Sequence, residues 1–143
     1  MAGQNKSTFD PQAVLDKVMK RGQDALDRSL VDAIADMQVR ISSGRGTDGT
    51  TYKYSKQTAE KKGKSSPVDW TDTGTLRRSI DFLTKLSKNN IIEGLIGVKD
   101  LKRGRSSNGQ ILRGLIEKFP KLWGLSNQEI KNLYANFNKY FKS

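Results

Sequence analysis

The sequence predicts an α+β chain from three features of its apolar pattern. Apolar residues recur every three or four positions from Val14 to Ile41, which is the period of an amphipathic helix. Two runs rich in Ile, Leu and Val, residues 80–86 and 91–98, flank the turn sequence 87–90 and predict an antiparallel hairpin. A helical stripe rich in aromatic residues follows near the C-terminus, and we expect it to pack against the first helix and the hairpin.

The first helix is expected to begin at Asp10 and Pro11. An Asp at the N-cap accepts free N–H groups, and Pro at the first helical position needs no N–H partner. Residues 42–44 (Ser-Ser-Gly) should end the helix, and Gly22 marks either a bend or a split into two helices. Charges recur every four residues along it, which predicts a solvated face with i,i+4 ion pairs rather than an acid pair for catalysis or a metal. The charged positions are Asp16, Lys20, Asp24, Arg28, Asp32, Asp36 and Arg40.

Residues 44–69 form a long polar segment whose early glycines indicate turns. Its Gly-Lys-Ser sequence at 63–65 matches the end of a phosphate-binding loop, but Thr58 replaces the required earlier glycine. We therefore exclude a phosphate-binding loop. We expect an extended basic arm, with Tyr52 and Tyr54 as its anchors.

A short helix is expected next, within residues 72–80, capped by the Asp or Thr at its start. Leu76 and Ile80 stand four positions apart, so they share one helical face and anchor the segment to the core. The adjacent Arg77 and Arg78 point elsewhere. We interpret them as an ion-pair latch, either within a subunit or between subunits.

The C-terminal third begins with a second basic loop, residues 100–110, which contains Lys102, Arg103 and Arg105. A short helix is predicted over 111–119, since Pro120 follows and helices usually end before a proline.

The apolar segment 122–125 contains Trp123 and should be buried or lie at an interface. Ser126 with Glu129 three residues later is the pattern of a capping box. The final helix then presents the aromatic stripe Ile130, Leu133, Tyr134, Phe137, Tyr140 and Phe141.

Composition limits the chemistry of the 143 residues. The chain has neither Cys nor His, which excludes Cys or His nucleophiles, a Ser-His-Asp triad, a Cys/His zinc site and disulfides. The N-terminal residues lack the apolar region of a secretory signal, and no apolar run is long enough to span a bilayer. We expect synthesis in the cytoplasm, a disordered tail at 1–9 and a single domain at 10–143. We expect no catalytic residue, cofactor or metal.

The net charge of +11 is distributed unevenly. Residues 1–43 contain six basic and six acidic side chains, so the excess of 20 basic over 9 acidic residues lies in 44–143. This bias indicates a polyanionic or acidic partner, either nucleic acid or an acidic protein surface.

The order of these segments resembles a known family. A long N-terminal helix precedes a Gly-rich segment with Tyr54-Ser55-x-x-Thr58, then Asp72-Thr73-Gly74-x-Leu76-Arg77-Arg78-Ser79-Ile80, a hairpin, and Leu122-Trp123-Gly124-Leu125-Ser126 before the last helix. This order resembles the virion morphogenesis or tail-completion family of tailed bacteriophages, small neck proteins at the head–tail junction. The chain departs from the family after the hairpin, where the usual Tyr-Ala, His and Gly segment is replaced by the basic loop.

The resemblance implies an α+β fold with a long helix against a small antiparallel sheet, and no catalysis. It also implies a homo-oligomeric ring that joins the head connector or adaptor protein to the tail-terminator or tail-tube protein in the virion, after assembly in the host cytoplasm. Weak contact with packaged DNA is compatible with this role, and contact with a membrane is not expected. The alternative is a basic nucleic-acid-binding module. The candidate interface residues are Tyr52, Tyr54, Lys61, Lys62, Arg77, Arg78, Lys102, Arg103, Arg105 and Trp123.

Overall fold

A computed structural model describes residues 9–53, 56–62, 75–99, 102–103 and 106–143, and the fold is α+β as predicted. A long N-terminal helix packs on a two-stranded antiparallel sheet, and two further helices complete the main body. The helices are α1 (Pro11–Ser42), α2 (Lys56–Lys62), α3 (Thr75–Arg78), α4 (Asn108–Lys118) and α5 (Asn127–Lys142). The strands are β1 (Ile80–Leu86), β2 (Ile92–Val98), β3 (Lys102–Arg103) and β4 (Ser106–Ser107).

Helix α1 starts and ends where the sequence predicts. The Asp10 carboxylate accepts the N–H groups of Gln12 at 3.1 Å and Ala13 at 3.3 Å, and Pro11 occupies the first helical position. The helix contains 32 residues and is therefore about 48 Å long.

Gly22 does not split α1, which continues unbroken through it. The glycine is buried where the hairpin crosses the helix. A Cβ atom at this position would lie 2.8 Å from Cδ1 of Ile92 on β2. The glycine therefore allows the close approach of the sheet to α1.

We predict opposite effects for leucine at the two helical glycines Gly22 and Gly114. Gly22→Leu should lower the free energy of unfolding by about 1–3 kcal/mol, because overpacking at Ile92 outweighs the gain in helix propensity. In α4, a Cβ at Gly114 meets nothing within 4 Å. Gly114→Leu should therefore stabilise the chain by roughly 0.5–1 kcal/mol. Urea unfolding of both variants measures the difference, and equal effects would contradict the close approach at Gly22.

The β1–β2 hairpin has one regular register. Ile80 pairs with Val98, Leu83 with Leu95, and the ladder closes at Leu86 and Ile92. Because side chains alternate between the faces of a strand, one face lies on α1 and the other is outward. The outward face carries Asp81, Leu83, Lys85, Glu93 and Leu95.

The main core lies where the C-terminal half of α1 meets the start of the hairpin. Met37 and Ile41 of α1 pack there with Leu76, Ile80 and Leu122, all nearly inaccessible to solvent. The predicted anchoring of Leu76 and Ile80 in the core is therefore confirmed. The predicted shared helical face is wrong, because α3 ends at Arg78 and Ile80 is the first residue of β1. The expected helix cap at Asp72 or Thr73 lies outside the described residues.

Part of the segment predicted as a basic arm folds onto the body. Arg45 forms a β-bridge with Thr51, and the N–H of Tyr52 donates to the carbonyl of Gly44 at 3.0 Å. The N–H of Thr47 donates to the carbonyl of Lys121 at 2.7 Å, which holds the loop against the 119–124 turn. These backbone bonds explain why a polar, glycine-rich sequence is ordered here. Further along the predicted arm, Lys56–Lys62 is helical.

The predicted 100–110 loop also contains regular structure. Strands β3 and β4 pair as a short antiparallel ladder, and α4 begins at Asn108, three residues earlier than expected. A capping box explains the early start: Ser107 accepts the N–H of Gln110, and the Gln110 side chain accepts the N–H of Ser107. Ser107 with Gln110 three residues later is the sequence signal for this earlier start.

Candidate functional site

The predicted interface residues do not converge on one described site. Lys61 lies on α2 and is exposed, and Arg78 is exposed on α3, next to the buried Leu76 and Ser79. The other basic candidates belong to α2, α3 and β3, but their side chains lie outside the described part of the chain, as do residues Tyr54 and Arg105. Those side chains are Lys62, Arg77, Lys102 and Arg103.

Tyr52, predicted as an anchor of the basic arm, makes contacts within its own chain. Its hydroxyl accepts the N–H of Lys121 at 3.1 Å, and its ring meets Phe119 edge to face with 5.5 Å between centroids. This arrangement is favourable for aromatic rings and satisfies the polar end of the tyrosine. Tyr52 therefore fastens the 44–53 loop to the end of α4.

Trp123 is half-buried and packs against the main core. It also lines an apolar groove of about 390 Å³ between α1, β2 and the start of α5. The groove is lined further by Leu26, Leu30, Met37, Ile92, Gly94, Ile96, Gly124, Leu125 and Leu133. Trp123 thus belongs partly to the core and partly to an open apolar surface.

The strongest polar constellation in the described residues is centred on Arg40. Its Nε donates to Glu129 at 2.8 Å, and both side chains are more than nine-tenths buried. Nη1 donates to the carbonyls of Arg45 at 2.8 Å and Leu122 at 3.0 Å, and Nη2 to Gly124 at 2.5 Å. A guanidinium can hold several acceptors at once because its N–H groups are fixed in one plane. Arg40 thus joins the end of α1 to the 44–53 loop, the 119–124 turn and α5.

Glu129 has two functions in this constellation. Its Oε1 accepts the N–H of Ser126 at 2.9 Å and the Ser126 hydroxyl accepts the N–H of Glu129 at 3.1 Å, so the predicted capping box is confirmed. Its Oε2 binds Arg40. One carboxylate therefore both starts α5 and attaches it to α1.

The prediction that Arg40 belongs to a solvated charged face is wrong. Arg40 follows Ala33 and Met37 at helical spacing, and those two residues are buried, so its side chain lies on the packed face of α1. The helical spacing of Arg40 with these apolar residues is the sequence feature that indicates its burial. Elsewhere on α1 the predicted charged face holds in part: Arg28 pairs with Asp24 at 3.3 Å, and both side chains are more than half exposed.

A second tie between α5 and α1 is a hydrogen bond from the Tyr140 hydroxyl to Asp32 at 2.6 Å. This bond stabilises the protonated phenol and raises the pKa of Tyr140 above its ordinary value of 10.0. The raised pKa means that the bond contributes stability below pH 10, and that this contribution is lost as the pH rises through the pKa in the folded state.

We predict a pH-dependent stability difference for Tyr140→Phe. The variant should unfold at a lower urea concentration than the wild type at neutral pH. The difference in urea midpoint between the two proteins should disappear at pH values above the raised pKa of Tyr140, because the wild type then loses the bond as well. The control is Tyr134→Phe on the same helix, where the side chain is 67% exposed and no comparable loss is expected. A gap that persists unchanged into strongly alkaline solution would contradict the assignment.

The outward face of the β1–β2 hairpin is a candidate contact surface. Leu83 is 64% exposed and Leu95, directly opposite, is 63% exposed. Lys85 and Glu93 form the next rung, and both are exposed. Contiguous apolar patches open to solvent mark surfaces that bind other proteins, and Leu83 with Leu95 is the apolar part of this face that a partner could cover.

Within the described residues, no cluster of three or more Asp or Glu side chains could hold a metal ion. No described helix combines the length and the apolar character needed to cross a membrane. Comparisons with protein-family models, curated proteins and solved structures found no match for the chain.

Proposed function

We propose that the chain is a structural virion protein of a tailed bacteriophage. It forms a ring at the head–tail junction that joins the head connector to the tail. The observation that carries the proposal is the order of sequence segments that resemble tail-completion proteins, above all Thr73-Gly74-x-Leu76-Arg77-Arg78-Ser79-Ile80.

The described part of this motif has a defined place in the fold. Leu76 and Ile80 are buried in the main core, and the Ser79 hydroxyl donates to the carbonyl of Leu76 at 2.6 Å. The backbone of Ser79 also accepts the N–H of Lys99 at 2.8 Å, which ties the motif to the end of β2. The motif therefore determines how the hairpin leaves the core, and this supports its use as a marker of related folds.

The surface of the chain supports assembly with other proteins. The open pair Leu83 and Leu95 lies on the outward face of the hairpin, and the apolar groove borders the opposite face of β2. A protomer with these features has apolar area that further subunits can cover. A ring requires heterologous contacts, in which two different patches of each subunit meet.

The proposal is tested by measuring the protein in purified phage particles. Quantitative mass spectrometry should find it at a fixed, low copy number relative to the major head protein, as expected for one ring per particle. Particles carrying a His-tagged copy should be labelled at the junction of head and tail in electron micrographs. Absence of the protein from infectious particles would contradict the proposal.

The basic nucleic-acid-binding module remains the second proposal, favoured by the net charge of +11. It predicts specific or non-specific DNA binding that weakens steeply with added salt, because each neutralised phosphate releases counterions. A DNA titration at low and moderate salt distinguishes the two proposals. Tight binding at moderate salt by a protein absent from particles would favour the module.

A further inference from the structure

The β1–β2 hairpin has two open edges within the described residues. The sheet contains these two strands alone, so the described structure pairs no strand with the outer edge of β1 or of β2. Unpaired strand edges present N–H and C=O groups that pair readily with another strand. Gly94, on β2, is exposed.

The side chains on the outward face are self-complementary between a β1 and a β2 strand. Within the chain, Lys85 stands opposite Glu93 and Leu83 stands opposite Leu95. Asp81 lies at the other end of β1, 3.7 Å from the Lys99 ammonium just after β2. A β1 strand from a second copy, added to the open edge of β2 in the same register, would repeat the Lys85–Glu93 and Leu83–Leu95 rungs and place Asp81 near Lys99 again, diagonally across from its direct partner Gly97. Each rung would again be a charge pair or an apolar pair.

The apolar groove lies beneath the open edge of β2. Its lining includes Ile92, Gly94 and Ile96, which face α1, together with Leu26 and Leu30 of α1. Gly94 has no side chain to fill the groove, and a Cβ there would lie 2.8 Å from Cδ1 of Leu30. An added β1 strand would place its own inward residues, Leu86 among them, alongside this groove. Leu86 is 40% exposed in the single chain.

We propose that a second copy of this chain docks its β1 strand on the open edge of β2, antiparallel and in the intrachain register. The contact joins two different edges, so each subunit uses its β1 edge for one neighbour and its β2 edge for the other. Repetition of the contact closes a ring or extends a filament. The inference rests on the proposed ring assembly and names its subunit contact. A competing arrangement pairs β1 with β1 about a two-fold axis. It also matches charges, Asp81 with Lys85, but leaves the β2 edge and the groove uncovered.

Engineered cysteines distinguish these arrangements, because the sequence has no cysteine of its own. Leu83→Cys and Leu95→Cys proteins are prepared separately, mixed at high concentration and oxidised. Directly opposite residues in antiparallel strands have Cα atoms within the range of a disulfide. The proposed contact predicts a covalent dimer in the mixture and little in either protein alone.

Each other outcome of the crosslinking overturns the proposal. A dimer of Leu83→Cys alone indicates the two-fold β1–β1 contact. A mixture that stays uncrosslinked under conditions where the wild type sediments as an oligomer indicates a contact elsewhere. If the wild type remains monomeric at every concentration and no crosslink forms, the proposed contact is ruled out. Because purified protein is used, these failures are separate from failure of the virion proposal, which concerns presence in particles.

Charge reversal gives an independent test. Lys85→Glu and Glu93→Lys should each weaken assembly by roughly tenfold, because each places like charges on facing strands. Mixing the two variants should restore assembly, because each contact between unlike subunits again pairs opposite charges. Within each variant chain, positions 85 and 93 still carry like charges, so the recovery reports the contact between subunits. Lys88→Glu in the exposed turn is the control and should assemble as the wild type does. Failure of the mixture to recover, or unimpaired assembly of Glu93→Lys alone, contradicts the proposed contact.

Discussion

Replacing Arg40 with alanine is expected to lower the free energy of unfolding by about 3–5 kcal/mol, the usual cost of breaking a buried ion pair by removing one partner. The variant leaves the Glu129 carboxylate buried without its counter-charge. It also leaves the carbonyls of Arg45, Leu122 and Gly124 without their guanidinium donor. A cost of this size is a large share of the stability of a small domain.

Urea unfolding followed by circular dichroism measures this loss. Arg113→Ala, at an exposed position of α4, is the matched control and should change stability by less than about 0.5 kcal/mol. Arg40→Lys should recover only part of the loss, because an ammonium keeps the charge without the planar set of donors. An Arg40→Ala protein as stable as Arg113→Ala would contradict the central role of Arg40.

The second large effect is expected at Leu122, which is 0% exposed and packs with Met37 and Ile41. Leu122→Ala should cost about 2–5 kcal/mol, because it removes buried apolar contacts and leaves a cavity. The Leu122 carbonyl also accepts from Arg40, so relaxation of this turn disturbs the polar constellation as well.

Leu83→Ala is the matched control for Leu122→Ala, since it makes the same chemical change on the open face of the hairpin. Its cost in the single chain should be less than about 1 kcal/mol, the size of a cross-strand pair. The two free energies of unfolding are compared under identical conditions. Equal losses would show that the outward face of the hairpin belongs to the core.

The main elements of the fold were predictable because their signals are local. Three of these signals depend on residues within one turn of helix: the cap at Asp10 and Pro11, the helical period of α1 and the capping box at Ser126. The hairpin followed from its two apolar runs and the turn between them. The attachment of the 44–53 loop to the body was not predictable, because the hydrogen bonds of Thr47 and Tyr52 with Lys121 join residues far apart in sequence.

The candidate site was less predictable for the same reason. Arg40 and Glu129 are 89 positions apart, and the sequence pattern alone does not pair them. Gly22 was interpreted through its helix propensity, whereas its position reflects contact with Ile92 on another element. The exposure of Leu83 and Leu95 also depends on what packs behind the hairpin, which their alternation along the strands does not reveal.

Deletion of the gene for this chain from the phage that we propose encodes it tests the proposed function most directly. Particles from the infection are purified and imaged by negative-stain electron microscopy, with the gene supplied in trans as the control. We predict heads and tails that are complete but not joined, with normal particles restored by the complementing copy. Normal tailed particles from the deletion alone would contradict the proposed role at the head–tail junction.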